Sequence, residues 1–196
     1  MTYPPGLPLI FVLLILLGLL IFLVEMRILT YAYRKVGVHP RYAFAVMVLS
    51  LLGSYVNIPL YTTPGPTVVA LNVGGALIPI LVSLYLMAHT GMLGRMLIGT
   101  AVVAAIVHQI AYVVPGLGIA VPMLVPPIVA AGVALVLAFR RAPPVAYVSG
   151  SMGTLIGADL LNLRQFWRLG APMVSIGGAG TFDGVFLTGI LAGLLA

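Results

Sequence analysis

The sequence predicts an all-α integral membrane protein, a polytopic transmembrane helical bundle of about seven spans whose last span is broken or partly re-entrant. Three observations predict it. Of 196 residues, 62% are hydrophobic and only 6% are charged, whereas a soluble domain carries roughly 25% charged residues to solvate its surface. Mean hydropathy is +1.24. The apolar residues also fall into stretches near the roughly 20 residues a helix needs to cross a ~30 Å hydrocarbon core. This composition excludes a cytosolic enzyme, a disordered chain and a nucleic-acid-binding domain. The net charge of +6 reads as membrane topology, not as a phosphate-binding surface. Cysteine is absent, which excludes disulfides, thiol nucleophiles and Cys-ligated metals.

The spans come in order. Residues 7–24 form a Leu/Ile/Phe run without internal charge. No basic residue precedes it and no small-x-small site ends it, so it reads as a span and not as a signal peptide. The second and third spans, 42–60 and 67–89, are joined by the turn-forming Thr63-Pro64-Gly65-Pro66. The fourth, 96–114, closes on Pro115-Gly116-Leu117-Gly118. The fifth is 121–139, interrupted near its start by Pro122, Pro126 and Pro127, the sixth 145–163 and the seventh 173–196. Short loops account for the remainder, so residues 1–196 read as a single membrane domain. Asn72-Val73-Gly74-Gly75-Ala76 is similar to Ser175-Ile176-Gly177-Gly178-Ala179, but in a Gly- and Ala-rich chain such a match arises by chance.

Charge sets the expected orientation. Alternate loops hold Arg27, Arg34, Lys35, Arg41, Arg95, Arg140 and Arg141, while the other side holds only Arg164 and Arg168. Cytoplasmic loops carry the Lys/Arg excess, which predicts a multi-pass cell-membrane protein with its N-terminus outside and its C-terminus inside. The Arg164–Arg168 loop is the exception, either external or carried by a re-entrant segment.

Ionisable groups at membrane depth are costly, so each one inside a span is a functional candidate. Glu25 ends the first span beside Arg27 and reads as an interfacial anchor. Asp159 lies in Gly157-Ala158-Asp159-Leu160-Leu161-Asn162; helical rise puts it roughly 6–8 Å below Arg164. Asp183 comes after Gly177-Gly178-Ala179-Gly180-Thr181-Phe182. From there to the C-terminus a helix extends only about 20 Å, which leaves Asp183 about 10 Å below the same surface. Two carboxylates at similar depth flank one connection. The glycines predict an irregular descent through Gly178 and Gly180 that admits water, tolerated only where it is buried or lines a cavity. Thr181 is the expected N-cap of the last helix.

Other polar positions have simpler readings. Ser50, Ser54, Asn57 and Tyr61 share one face of the second span, and Asn72, Gly75 and Pro79 one face of the third. Such faces serve first as interhelical hydrogen-bond seams and otherwise line a substrate path. His108, one turn before Tyr112, reads as a structural hydrogen bond ahead of a proton relay. Ser149, Gly153 and Gly157, and Gly189 with Gly193, are small-residue stripes for close helix packing, within the chain or in an oligomer. No His-Glu-x-x-His, P-loop or dinucleotide fingerprint occurs, and no histidine follows the serine of Ser149-Gly150-Ser151-Met152-Gly153 as a rhomboid-type protease requires.

The blocks 153–163 and 170–189, reading GTLIGADLLNL and GAPMVSIGGAGTFDGVFLTG, resemble a prokaryotic family, the domain of unknown function 1614. That resemblance implies a small multi-spanning protein and no particular activity. A more distant analogy runs to intramembrane aspartyl proteases such as presenilin, signal peptide peptidase and prepilin peptidase. These place one aspartate on each of two adjacent spans, the second in Gly-x-Gly-Asp. Here Thr181-Phe182 separates Gly180 from Asp183, and no Pro-Ala-Leu occurs.

The leading functional expectation is therefore a paired-aspartate hydrolase acting on a membrane-embedded peptide, with Asp183 as base, Asp159 as acid, and Asn162 and Thr181 orienting them. The alternative is a proton- or cation-coupled transporter or channel using the same aspartates, with Asn57, Asn72 and His108 along its path. A non-catalytic membrane subunit is the third reading. No cofactor, metal or nucleic acid is expected; the lipid bilayer is the expected environment.

Overall fold

The computed structural model describes residues 7–65, 67–114, 118–169, 171–178 and 184–196. Helix α1 (Leu7–Lys35) is followed by α2 (Pro40–Gly53), strands β1 (Asn57–Thr62) and β2 (Val68–Asn72), a π turn (Val73–Leu77) and α3 (Ile78–Thr90). Next come α4 (Leu93–Ile110), strands β3 (Tyr112–Val114) and β4 (Gly118–Ala120), α5 (Val125–Ala138) and α6 (Ala142–Thr154). A second π turn (Leu155–Asp159), a 3-10 stretch (Leu160–Leu169), β5 (Met173–Ile176) and α7 (Gly184–Leu195) complete the chain.

The all-α expectation is corrected here, since the mostly helical bundle also carries strands; of the roughly seven expected spans, length and composition support four. Among the described residues four helical stretches are long and apolar enough to cross a membrane: Leu13–Lys35, Val73–Thr90, Leu93–Ile110 and Val125–Arg164. The last is folded back on itself, because a 3-10 turn at Phe139–Arg141 separates α5 from α6 and the two pack together. Pro40–Gly53 and Gly184–Leu195 are shorter apolar helices, of about 21 and 18 Å. The physical reason is that hydropathy does not separate a buried strand from a helix. The apolar segments around Asn57–Thr62, Val68–Asn72, Tyr112–Val114 and Met173–Ile176 are short and bounded by Pro and Gly, and they pair as strands.

Helix α6 is the axis of the bundle. It is buried along nearly its whole length and packs on α3, α4, α5 and α7. The small-residue stripes make this possible. A Cβ on Gly153 would lie 2.6 Å from the Val103 side chain, and one on Gly157 2.5 Å from the Ala104 carbonyl oxygen. Gly189 meets Ser151 and Tyr147, and Gly193 meets Val36. Both stripes thus pack inside the chain.

The two ends of the bundle differ. At one, α1 stops in a Schellman motif: Val38 N–H donates to the Tyr33 carbonyl at 2.9 Å and Gly37 N–H to the Arg34 carbonyl at 3.2 Å. Gly37 supplies the left-handed φ of +103° that this closure needs. Lys35 Nζ donates to the Leu194 carbonyl at 2.8 Å, bringing the C-terminus there, and Pro143 and Leu86 adjoin the same turn. This end carries Arg34, Lys35, Arg41, Arg95, Arg140 and Arg141. The opposite end is capped by strands. β1 and β2 form an antiparallel hairpin, closed by Thr63 Oγ1 donating to the carbonyls of Gly65 and Thr67. β2 then pairs parallel with β5, Val68 opposite Met173 through Leu71 opposite Ile176. Pro59 is tolerated because β1 is an edge. Hairpin β3–β4 lies beside the second π turn and the 3-10 stretch.

The two similar pentapeptides therefore share a structural setting. Asn72–Ala76 and Ser175–Gly178 each carry a strand end into a glycine pair, on neighbouring parallel strands.

Candidate functional site

Asp159 ends the second π turn, where the regular ladder of α6 gives way to a 3-10 stretch. A π turn inserts one residue into the helical register and so re-aims the side chains beyond it; such turns are frequent at functional sites. The widened turn is held by Asn162, a buried side chain whose Nδ2 donates to the carbonyls of Gly157 at 3.0 Å and Ala158 at 2.9 Å. Its amide also lies 3.3 Å from Nδ1 of His108.

On its other side Asp159 reaches the end of β5. Gly177 N–H donates to Asp159 Oδ2 at 2.7 Å. Gly177 has a φ of +86°, and a Cβ there would lie 2.5 Å from Cβ of Ala76 and 2.7 Å from its backbone nitrogen. Only glycine fits this position, on both counts. Gly178 N–H donates to the Ser175 carbonyl at 3.1 Å.

Beneath β5 lies a cavity of about 290 Å³, lined by Asp159, Thr154, Ser175, Gly178, Gly184 and Thr188, with Pro122, Met123 and Pro126 on the apolar side. Asp159 is half-buried, and Thr154 and Thr188 are buried. Among the described residues no three His, Asp or Glu side chains gather, and the polar lining that these residues give the cavity is one carboxylate, hydroxyls and backbone groups.

Asn57 and Asn72 face each other across β1 and β2. Asn72 Nδ2 donates to Asn57 Oδ1 at 3.0 Å and to the Ser54 carbonyl at 2.8 Å, while its Oδ1 accepts Gly75 N–H at 2.7 Å and caps the first π turn. The shared helical faces expected for Asn57 with Ser54 and for Asn72 with Pro79 are replaced by this strand pairing, because the helices start and stop inside those segments. Asn57 Oδ1 also accepts Ser175 Oγ–H.

The described candidates thus fall into hydrogen-bonded groups that meet around the end of β5 and the second π turn: Asn72 with Asn57 and Ser175, whose carbonyl accepts Gly178 N–H; Asp159 with Gly177; and Asn162 with His108 and the carbonyls of Gly157 and Ala158, the residues just before Asp159. Asp183, Thr181 and Gly180 lie outside the described residues; the chain resumes at Gly184, on the cavity wall. Sequence reasoning missed Thr154, Ser175 and Thr188 as cavity residues. For Thr154 the signal was its place about one turn before Asp159, in the same helical segment. No curated protein and no solved structure matches the chain. Residues 19–195 match the family model described as protein of unknown function (DUF1614), and with nearly the whole length matched, the chain belongs to that family.

Proposed function

We propose that the protein binds and moves a proton or small cation across the cell membrane, with Asp159 as the binding group. The observation that carries this reading is a half-buried carboxylate in a cavity of about 290 Å³, set where a membrane-length helical stretch leaves α geometry. An ionisable group at such depth is retained where it binds or relays charge. Interrupted helices that expose backbone groups to a central site are a recurring device of transporters. The hydroxyls of Thr154, Ser175 and Thr188 offer oxygen donors around the carboxylate, and Gly177 N–H fixes one of its oxygens. By the positive-inside rule the basic end faces the cytoplasm with the C-terminus, and the strand-capped end with the cavity faces outside.

The test is purified protein in liposomes with an internal pH dye under an imposed ion gradient. Flux above that of empty liposomes, lost in Asp159→Asn, supports the reading; flux unchanged in that variant ends it.

One observation favours a second reading. Gly184 lines the Asp159 cavity, and its chain neighbour is Asp183, which supports a paired-aspartate hydrolase acting on membrane-embedded peptides. Cleavage of a single-span substrate that is lost in both Asp159→Asn and Asp183→Asn would support it. Cleavage that survives both substitutions would rule the pair out.

A further inference from the structure

Helix α6 carries four buried side-chain hydroxyls, those of Tyr147, Ser149, Ser151 and Thr154, that complete no well-formed hydrogen bond among the described residues, although the Tyr147 hydroxyl lies near enough to those of Ser151 and Tyr33 to interact with both. Buried polar groups in proteins are paired with protein or with ordered water. An orphaned group inside a membrane bundle is therefore a place where water or a proton belongs.

These hydroxyls are not scattered. At about 100° per residue, Tyr147, Ser151 and Thr154 fall within roughly 60° of arc, and Ser149 lies on the far side. The neighbours agree. A Cβ on Gly189 of α7 would collide with Ser151 Oγ and lie 3.1 Å from the Tyr147 ring, whereas one on Gly99 of α4 would collide with Ser149 Oγ. One strip therefore faces α7. At one end of it Thr154 lines the Asp159 cavity, opposite Thr188 of α7. At the other, the Tyr147 ring is 6.0 Å from that of Tyr33, whose hydroxyl lies 3.4 Å from Ser50 Oγ. Tyr33 stands two residues before Lys35, at the basic end of the bundle.

We infer that this strip conducts protons between the Asp159 cavity and the basic end of the bundle. The hydroxyls of Tyr147, Ser151 and Thr154 are bridged by water. Each accepts one proton as it gives up another, which reverses the direction of its O–H, and rotation of the hydroxyls and waters then restores the strip for the next transfer. Asp159 alternates between carboxylate and carboxylic acid. The inference rests on the reading of Asp159 as a charge-binding group and names the proton as its cargo.

The experiment is proton uptake into liposomes, driven by a potassium diffusion potential and read by an internal pH dye. Tyr147→Phe, Ser151→Ala and Thr154→Val are expected to slow uptake by about tenfold, roughly the effect of one broken link. Ser149→Ala, on the opposite face, should stay within about twofold of wild type. Thermal melting in detergent checks that each variant is folded, and Tyr147→Phe, which loses a single oxygen, carries the test if the others are not. Uptake within about twofold of wild type in Tyr147→Phe, Ser151→Ala and Thr154→Val, alongside loss in Asp159→Asn, overturns the strip and leaves the Asp159 reading standing. Wild-type uptake no faster than that of empty liposomes overturns both.

Discussion

Gly177 and Asp159 are joined by a 2.7 Å hydrogen bond from the backbone N–H of the glycine to Oδ2 of the aspartate. The contact ties the end of β5 to the end of the second π turn, and so fixes the carboxylate against the cavity wall. Gly177 has no alternative residue: its left-handed φ of +86° and its approach to Ala76 both exclude a side chain.

Gly177→Ala should therefore destabilise the protein by about 1–3 kcal/mol from backbone strain alone, with a further cost from the contact with Ala76. A fall in melting temperature in detergent checks this. Gly91→Ala provides the comparison, since it too has positive φ, +67°, but meets nothing within 4 Å; it should lose less.

Asn162→Leu should cost about 2–5 kcal/mol, because two buried carbonyls of the π turn lose their donor. If Asn162 positions Asp159, Asn162→Asp should also impair flux, since a carboxylate cannot donate to those carbonyls. Flux and melting temperature measured on the same preparations separate the two effects.

Asn72→Asp tests the knot at the strand end. The variant keeps an oxygen for Gly75 N–H but loses the donors to Ser54 and Asn57. It should be less stable than Asn72→Ala, because it also buries a carboxylate against the two acceptor oxygens left without a donor; Asn72→Ala should itself lie about 1–3 kcal/mol below wild type.

Packing around α6 gives a paired prediction. Gly157→Ala would press on the Ala104 carbonyl of α4, an overpacking cost of about 1–3 kcal/mol. Gly132→Ala on α5 meets nothing within 4 Å and should stabilise by about 0.5–1 kcal/mol through helix propensity. Chemical denaturation in mixed micelles would rank them.

The legible parts of this fold were those set by composition and charge. The basic residues beside the turns at 36–39 and 91–92 (Arg34, Lys35, Arg41 and Arg95) and within the turn at 139–141 (Arg140 and Arg141) fall at one end of the bundle, as their alternation along the chain requires. The first span ran further than expected, to Lys35, because Glu25 and Arg27 end a hydropathy window without ending a helix. Asn57–Thr62 and Val68–Asn72 could not be told from helix by apolar content, since β-branched residues beside Pro and Gly serve either ladder until a partner strand is known. The π turn ahead of Asp159 has no sequence signature: it depends on Asn162 and Gly177, and on close approach to α4 at Gly157. Asp159 stood out from its chemistry alone, while Ser175 became visible only when β5 paired with β2.

The pairing of β2 with β5 also constrains how the molecule is made. Val68 waits for Met173, about a hundred residues later, so the ribosome must deliver α3, α4, α5 and α6 to the bilayer before this edge finds its neighbour. Until then β2 offers an open row of backbone groups, a template for pairing with another nascent chain. A polypeptide interrupted after α6 would insert most of its helices, yet lack both the strand that seals β2 and the glycine that steadies Asp159.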